Sequence, residues 1–139
     1  MTAMLHQASC VALQGRALLI EGPPGSGKSS LALALIDRGA ELVGDDGVAL
    51  VPRDGKLWAL PPPNIRGLLE VRNVGLIRLP AIEAPVALLV LLTPGAPRLP
   101  EGPETMIRAS QAIPGITLDP AASILHLRAE AALREHGLR

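Results

Sequence analysis

The stretch "EGPPGSGKSSLALALIDRGAELVGDDG", residues 21–47, decides the architecture of this 139-residue chain. Within it, Gly22-Pro23-Pro24-Gly25-Ser26-Gly27-Lys28-Ser29 meets the pattern Gly, four free positions, Gly-Lys and Ser or Thr at every fixed place. Glycines let a backbone curl until successive N–H groups face one anion, and a helix that follows adds the positive end of its dipole. The lysine reaches phosphate oxygens as a point charge, and the next hydroxyl ligates Mg2+. Such a P-loop needs a buried strand before it and a helix after it. "RALLIEG" (16–22) is continuously apolar across its centre, as a strand covered on both faces should be. "KSSLALALIDR" (28–38) repeats Leu31, Leu35 and Ile36 at helical spacing, with Gly39 placed for a C-cap. The run Gly22, Pro23, Pro24, Gly25, Ser26, Gly27, Lys28, Ser29 and Ser30 is therefore the candidate cradle for a nucleotide's phosphates, with Mg2+ at Ser29.

A phosphate cradle performs no chemistry by itself. Asp45 and Asp46 follow "AELVG" (40–44), a short strand expected to lie beside the P-loop strand. Its C-terminal end is where doubly wound α/β sheets bind ligands. One carboxylate can approach Mg2+, directly or through water, while its neighbour accepts a proton from an incoming hydroxyl. An Asp-Asp-Gly turn closing the strand is the plainer alternative. The position of Asp45, sixteen residues after Ser29, favours the site.

Outward from this stretch the chain reads as one α/β unit, a single domain over residues 1–139 with a central, mainly parallel sheet and N-terminal hairpin strands. "SCVAL" (9–13) and "RALLIEG" flank Gln14-Gly15, and "VALVP" and "LWALP" flank a turn over Arg53-Asp54-Gly55-Lys56; both signal hairpins. "APVALLVLLTP" (84–94) is the best further central strand. Prolines at 97, 100, 103, 114 and 120 predict loops around one short helix near "ETMIRASQ". "PAASILHLRAEAALREHG" (120–137) fits a closing helix with Pro120 in its first turn.

Composition narrows the partners. Thirteen basic and thirteen acidic side chains cancel, so no global field recruits nucleic acid or an anionic membrane. The longest apolar run, Val86–Leu92, has seven residues, far below the roughly 20 of a spanning helix. No basic region followed by an apolar stretch opens the chain, so no signal peptide is expected. The lone Cys10 suits a reducing, cytoplasmic setting.

Three features together resemble the catalytic domain of HPr kinase/phosphorylase: His6 upstream, the P-loop running into "LALALIDRGAELVGDD", and "LLEVRNVGLI" (68–77). The last resembles that family's Glu-x-Arg-Gly-hydrophobic-Gly signature. The resemblance covers roughly the first 80 residues and implies a protein serine kinase using ATP and Mg2+, with an HPr-like phosphocarrier as acceptor. It implies that Asp45 takes the serine proton and returns it in the reverse reaction. Asp46 and Glu70 support the metal with Ser29, Arg72 stabilises the transferred phosphoryl group, and His6 sits near the phosphate site and tunes the proton affinity of Asp45. It implies a homo-oligomer, a hexamer by family. Two departures stand out. Asn73 replaces the signature Gly, and "IPGITLDPAASIL" (113–125) lacks the basic residues of the family's C-terminal segment, leaving Arg66, Arg98 and Arg108 as available cations. A kinase for another protein or small molecule, and a nucleotide-sensing module without turnover, remain the alternative readings.

Overall fold

The computed structural model describes residues 3–139. Met1 and Thr2, where the expected domain begins, lie outside the described residues. In chain order, strands β1 (Met4–His6), β2 (Ser9–Leu13) and β3 (Arg16–Glu21) precede helix α1 (Lys28–Asp37) and strand β4 (Glu41–Gly44). The pair β5 (Val48–Arg53) and β6 (Lys56–Leu60) follows. A 3₁₀ turn, Pro63–Ile65, then leads to β7 (Leu68–Val71) and β8 (Gly75–Arg78). Strands β9 (Ala84–Leu92), β10 (Glu104–Arg108) and β11 (Gln111–Leu118) and helix α2 (Leu125–His136) complete the fold.

One nine-stranded sheet runs β1-β5-β6-β9-β3-β2-β4, with β11 beside β9 and β10 beside β11, while β7 and β8 form a separate ribbon. Strand β9 is the branch point. One edge pairs β3 from Val86 to Leu91, and the other meets β6 at Ala84 and Pro85 before meeting β11 from Leu89 onward. The expectation of a mainly parallel sheet is corrected here. Only β3–β9 and β9–β11 are parallel, and the other pairings in that sheet are antiparallel. Part of the cause is local: two-residue turns join β2–β3, β5–β6 and β10–β11, and such a turn permits only antiparallel pairing. Gln14-Gly15 and Asp54-Gly55 both take positive φ at each position, the twist that matches right-handed strands.

Three further expectations change. "ETMIRASQ" is not helical: Glu104–Arg108 is a strand, turned back on β11 by Ala109 and Ser110, with φ of 48° and 65°. Non-glycine residues rarely take that conformation, so the sequence offered no turn signal there. Pro120 precedes the last helix rather than opening it, because Ile124 takes φ 49° immediately before α2. Strand β4 does not touch the P-loop strand: β2 lies between β3 and β4 and pairs antiparallel with both. Two antiparallel steps restore direction, so β3 and β4 still end at the same edge of the sheet.

Both helices cover one face of the sheet. There Leu31, Leu35, Ala129 and Leu133 pack on Val11, Leu18, Ile20, Leu88 and Val90. The opposite face of β2, β3 and β9 packs Cys10, Leu19 and Leu89 against Val48, Leu50 and Leu57 of the β5–β6 hairpin. Fully burying a Leu, Val or Ile side chain is worth about 1.5–3 kcal/mol, so this two-sided core anchors β3 and β9 rigidly beneath the P-loop. Helix α1 ends as anticipated: Gly39 at φ 106° lets the Ala40 N–H reach the Leu35 carbonyl at 3.0 Å.

Candidate active site

The loop between β3 and α1 turns on two glycines, Gly25 at φ 80° and Gly27 at φ 100°. Alternating handedness of this kind makes a concave nest of N–H groups. The first turn of α1 adds N–H groups that have no partner inside the helix. Gly22 is required for close approach rather than for φ: a Cβ there would lie 2.6 Å from Ser26 Oγ and 3.1 Å from Leu92 Cβ. The Ser26 hydroxyl is buried without a hydrogen-bond partner. Lys28 is only 9% exposed, and its Nζ donates to the Gly22 carbonyl at 2.9 Å and the Pro23 carbonyl at 3.2 Å. A cation stored against two carbonyls inside a ring of N–H groups fits a polyanion such as a nucleotide triphosphate.

Asp45 stands just past the end of β4 with 7% exposure. A buried carboxylate is costly unless it is hydrogen-bonded, and three elements supply donors. Ser29 Oγ of α1 donates to Oδ1 at 2.6 Å, Ser9 Oγ of β2 donates to Oδ1 at 3.0 Å, and the Glu70 N–H of β7 donates to Oδ2 at 2.9 Å. Asp46 is exposed, in the left-handed region at φ 58°. Glu70 and Arg72 are exposed on the β7–β8 ribbon. At Asn73 the turn takes φ 70°, which Asn tolerates well for a non-glycine residue, so the loss of the signature Gly leaves a left-handed turn.

These groups share one cavity of about 280 Å³, lined by Pro24, Gly25, Gly27, Lys28, Ser29, Ser30, Asp45, Asp46, Glu70 and Arg72. A larger groove of about 550 Å³ runs under the proline-rich segment, but its lining contains no Lys, Arg or His and two glutamates, so it cannot attract phosphate. Among the described residues no group of three or more His, Cys, Asp or Glu could hold a metal alone. The hard oxygens of Ser29, Asp46 and Glu70 instead suit Mg2+, which keeps several waters and is usually bound by one or two carboxylates together with substrate phosphates.

Gly22, Pro23 and His6 lie elsewhere. They line a neighbouring cavity of about 430 Å³ with Glu21. His6 hydrogen-bonds Glu21, the carboxylate at the end of β3, and makes no hydrogen bond to Asp45 among the described residues. Arg108 grips the same carboxylate twice, Nε to Oε2 at 2.8 Å and Nη2 to Oε1 at 2.7 Å. Burial pushes the Glu21 carboxyl up, but the hydrogen bonds from Arg108 and His6 outweigh it and hold Glu21 below its ordinary value. Arg108 is thus committed to Glu21, Arg66 donates to the Ala81 carbonyl, and Arg98 is exposed. Sequence reasoning passed over Ser9 and Glu21. The signals were a hydroxyl inside the apolar "SCVAL" and an acid immediately before the first P-loop glycine.

Comparison with known proteins agrees with this architecture. A family model described as "HPr Serine kinase C-terminal domain" matches residues 2–82. The HPr kinase/phosphorylase of Clostridium tetani is 41% identical over 85 residues, covering 61% of this chain and 28% of that protein. That of Clostridium novyi is 46% identical over 72 residues, covering 52% of this chain and 24% of that protein. The chain thus spans about a quarter of the length of the curated relatives it matches. The structure of the Hpr(Ser) kinase/phosphatase from Coxiella burnetii superimposes with a TM-score of 0.83 at 27% identity, over 94% of this chain and 88% of that one. Among the described residues no helix is long and apolar enough to cross a membrane.

Proposed function

The chain belongs to the HPr serine kinase C-terminal domain family, and on that premise we propose that it is a single kinase domain that phosphorylates a protein serine with Mg·ATP. The acceptor is an HPr-like phosphocarrier of a sugar or nitrogen phosphotransferase system, and the reverse, phosphorolytic reaction uses the same groups. One observation supports this above the rest: Ser29 Oγ bonds Asp45 Oδ1 at 2.6 Å in a cavity that Lys28, Asp46, Glu70 and Arg72 also line. A bare phosphate-binding loop has no need of that carboxylate cluster.

Lys28 exchanges the Gly22 and Pro23 carbonyls for phosphate oxygens when ATP enters, and the N–H groups of Gly25 and of residues 27–30 orient the chain of phosphates. Ser29, Asp46 and Glu70 would hold Mg2+, which neutralises charge on the transferred group when bound. As the Ser29 hydroxyl turns away from Asp45, Oδ1 regains a lone pair with which to take the acceptor serine's proton. Arg72 opposes the charge that builds on the phosphoryl oxygens. His6 acts on this site only through Glu21. Catalysis on this account is positioning and charge neutralisation.

A second reading keeps the chemistry and changes the acceptor to another protein or a small molecule. It is favoured by residues 113–125, which contain no basic side chain, and by the commitment of Arg108 to Glu21. Transfer of labelled γ-phosphate from Mg·ATP to the host's HPr-like carrier, with Asp45→Asn as control, separates the two. Label on a carrier serine that the variant loses supports the first reading. ATP turnover without carrier labelling favours the second, and ATP binding without any turnover supports a nucleotide sensor.

A further inference from the structure

Ser9 is fully buried, with 0% exposure, on a strand whose other residues are apolar. Its backbone pairs with Ile20 of β3, the P-loop strand. On the other edge, the β2–β4 ladder shifts register between Cys10 and Val11 and closes at Cys10–Gly44. Beyond that point the backbone no longer joins β2 to the acid pair, and the Ser9 side chain takes over. Its Oγ donates to Asp45 Oδ1 at 3.0 Å and accepts from the Asp46 N–H at 3.3 Å. One hydroxyl therefore ties both aspartates to the strand that carries the phosphate loop.

We propose that Ser9 is a positioning residue for the metal side of the site: it sets the distance between the two aspartates and the P-loop serine. Three features argue for this role over simple strand-end satisfaction. Asp45 Oδ1 is shared by Ser9 and Ser29, so moving Ser9 moves the oxygen that holds the Ser29 hydroxyl. Asp46 sits in the left-handed region at φ 58°, which Asp tolerates among residues with a Cβ, and the Ser9 oxygen holds its N–H in that conformation. Strand β2 separates β3 from β4, so Ser9 ties the acids to the P-loop strand from within the sheet, beside the direct Ser29–Asp45 bond. Outer residues that orient metal ligands typically contribute 10- to 100-fold in metal affinity or activity.

This role rests on the Mg·ATP reading above, so the experiment measures both. ATP affinity is determined by calorimetry with Mg2+ and with EDTA, for the wild type and for Ser9→Ala, Ser9→Thr and Ser9→Val. Thr and Val have the same shape and bring the same crowding, but only Thr keeps the hydroxyl. Expected is a roughly 10- to 100-fold loss of Mg·ATP affinity in Ala and Val, near-wild-type affinity in Thr, and unchanged metal-free ATP affinity in all. Thermal unfolding of each variant checks that it is folded. Equal Mg·ATP affinity in Thr and Val, or a loss that is the same with EDTA, overturns the positioning role alone. A wild-type protein that gains nothing from Mg2+ overturns the Mg·ATP reading and this role together.

Discussion

Replacing Lys28 by Ala tests the phosphate cradle most directly. In the structure the ammonium is nine-tenths buried and satisfied only by the Gly22 and Pro23 carbonyls. Binding a triphosphate replaces those neutral acceptors with anionic ones. Two unit charges 4 Å apart at an effective dielectric of 20 attract by about 4 kcal/mol, and surrendering the two carbonyl bonds offsets roughly 1–2 kcal/mol. The net loss on substitution is about 2–3 kcal/mol, or roughly 30- to 150-fold in affinity. At an ATP concentration of about 100 times the wild-type Kd, ligand binding stabilises the wild type by about 2.7 kcal/mol. For a domain of this length that raises Tm by roughly 8–11 °C. The same ATP should stabilise Lys28→Ala by only about 0.3–0.9 kcal/mol, a shift of roughly 1–3 °C. Differential scanning fluorimetry with and without Mg·ATP reads this directly. An undiminished shift in the variant would refute the argument, because the nucleotide would then sit away from the loop.

Two further substitutions test the frame around the loop. Glu21 lies below its ordinary value of 4.5 in the folded protein, so its pairing stabilises the fold above that value and is lost as pH falls through the depressed one. Wild type and Glu21→Gln should therefore differ in denaturant midpoint at pH 7 and converge as the solution is acidified through the depressed Glu21 value; parallel curves would remove Glu21 from the acid response. Gly22→Ala places a Cβ 3.1 Å from Leu92 Cβ on β9, and only the Ser26 hydroxyl can rotate away. It should cost about 1–3 kcal/mol in urea unfolding and weaken ATP binding, whereas full stability would mean that the loop is softer than its packing implies.

What the sequence made legible follows from how local each determinant is. The strand, glycine-bearing loop and helix of residues 16–37, the Gly39 cap and both glycine-containing hairpins rest on contacts within a few residues, and they stand where the residues predicted. The turn at Ala109-Ser110 has no glycine or asparagine to announce it, and the strand it closes is made by pairing with β11, which no local pattern encodes. The order of strands is equally non-local: nothing in "AELVG" says that β2 will intervene between it and β3. For the same reason the cavity residues from the P-loop, the acid pair and the β7–β8 ribbon were legible as motifs, while Ser9 and Glu21 were not. Their importance lies in partners 36 and 87 residues away.

The site divides into halves with different physical standing. One half is buried: Lys28, Asp45 and Ser9 are held by strands and a helix whose apolar faces lock into the core. Asp46, Glu70 and Arg72 are exposed, the last two on a two-stranded ribbon outside the main sheet. A short ribbon is marginal without further packing, and here its backbone is pinned to the rest of the site at Glu70 by the Asp45 carboxylate. Ordering of the ribbon is therefore tied to the Asp45 carboxylate. A substitution that neutralises Asp45 should loosen Glu70 and Arg72 even though it touches neither, and faster amide exchange across residues 68–78 in Asp45→Asn would register it. Asn still offers one acceptor oxygen, so the ribbon should loosen less in Asp45→Asn than in Asp45→Ala. Equal exchange in the wild type and both variants would show that the ribbon stands without that carboxylate.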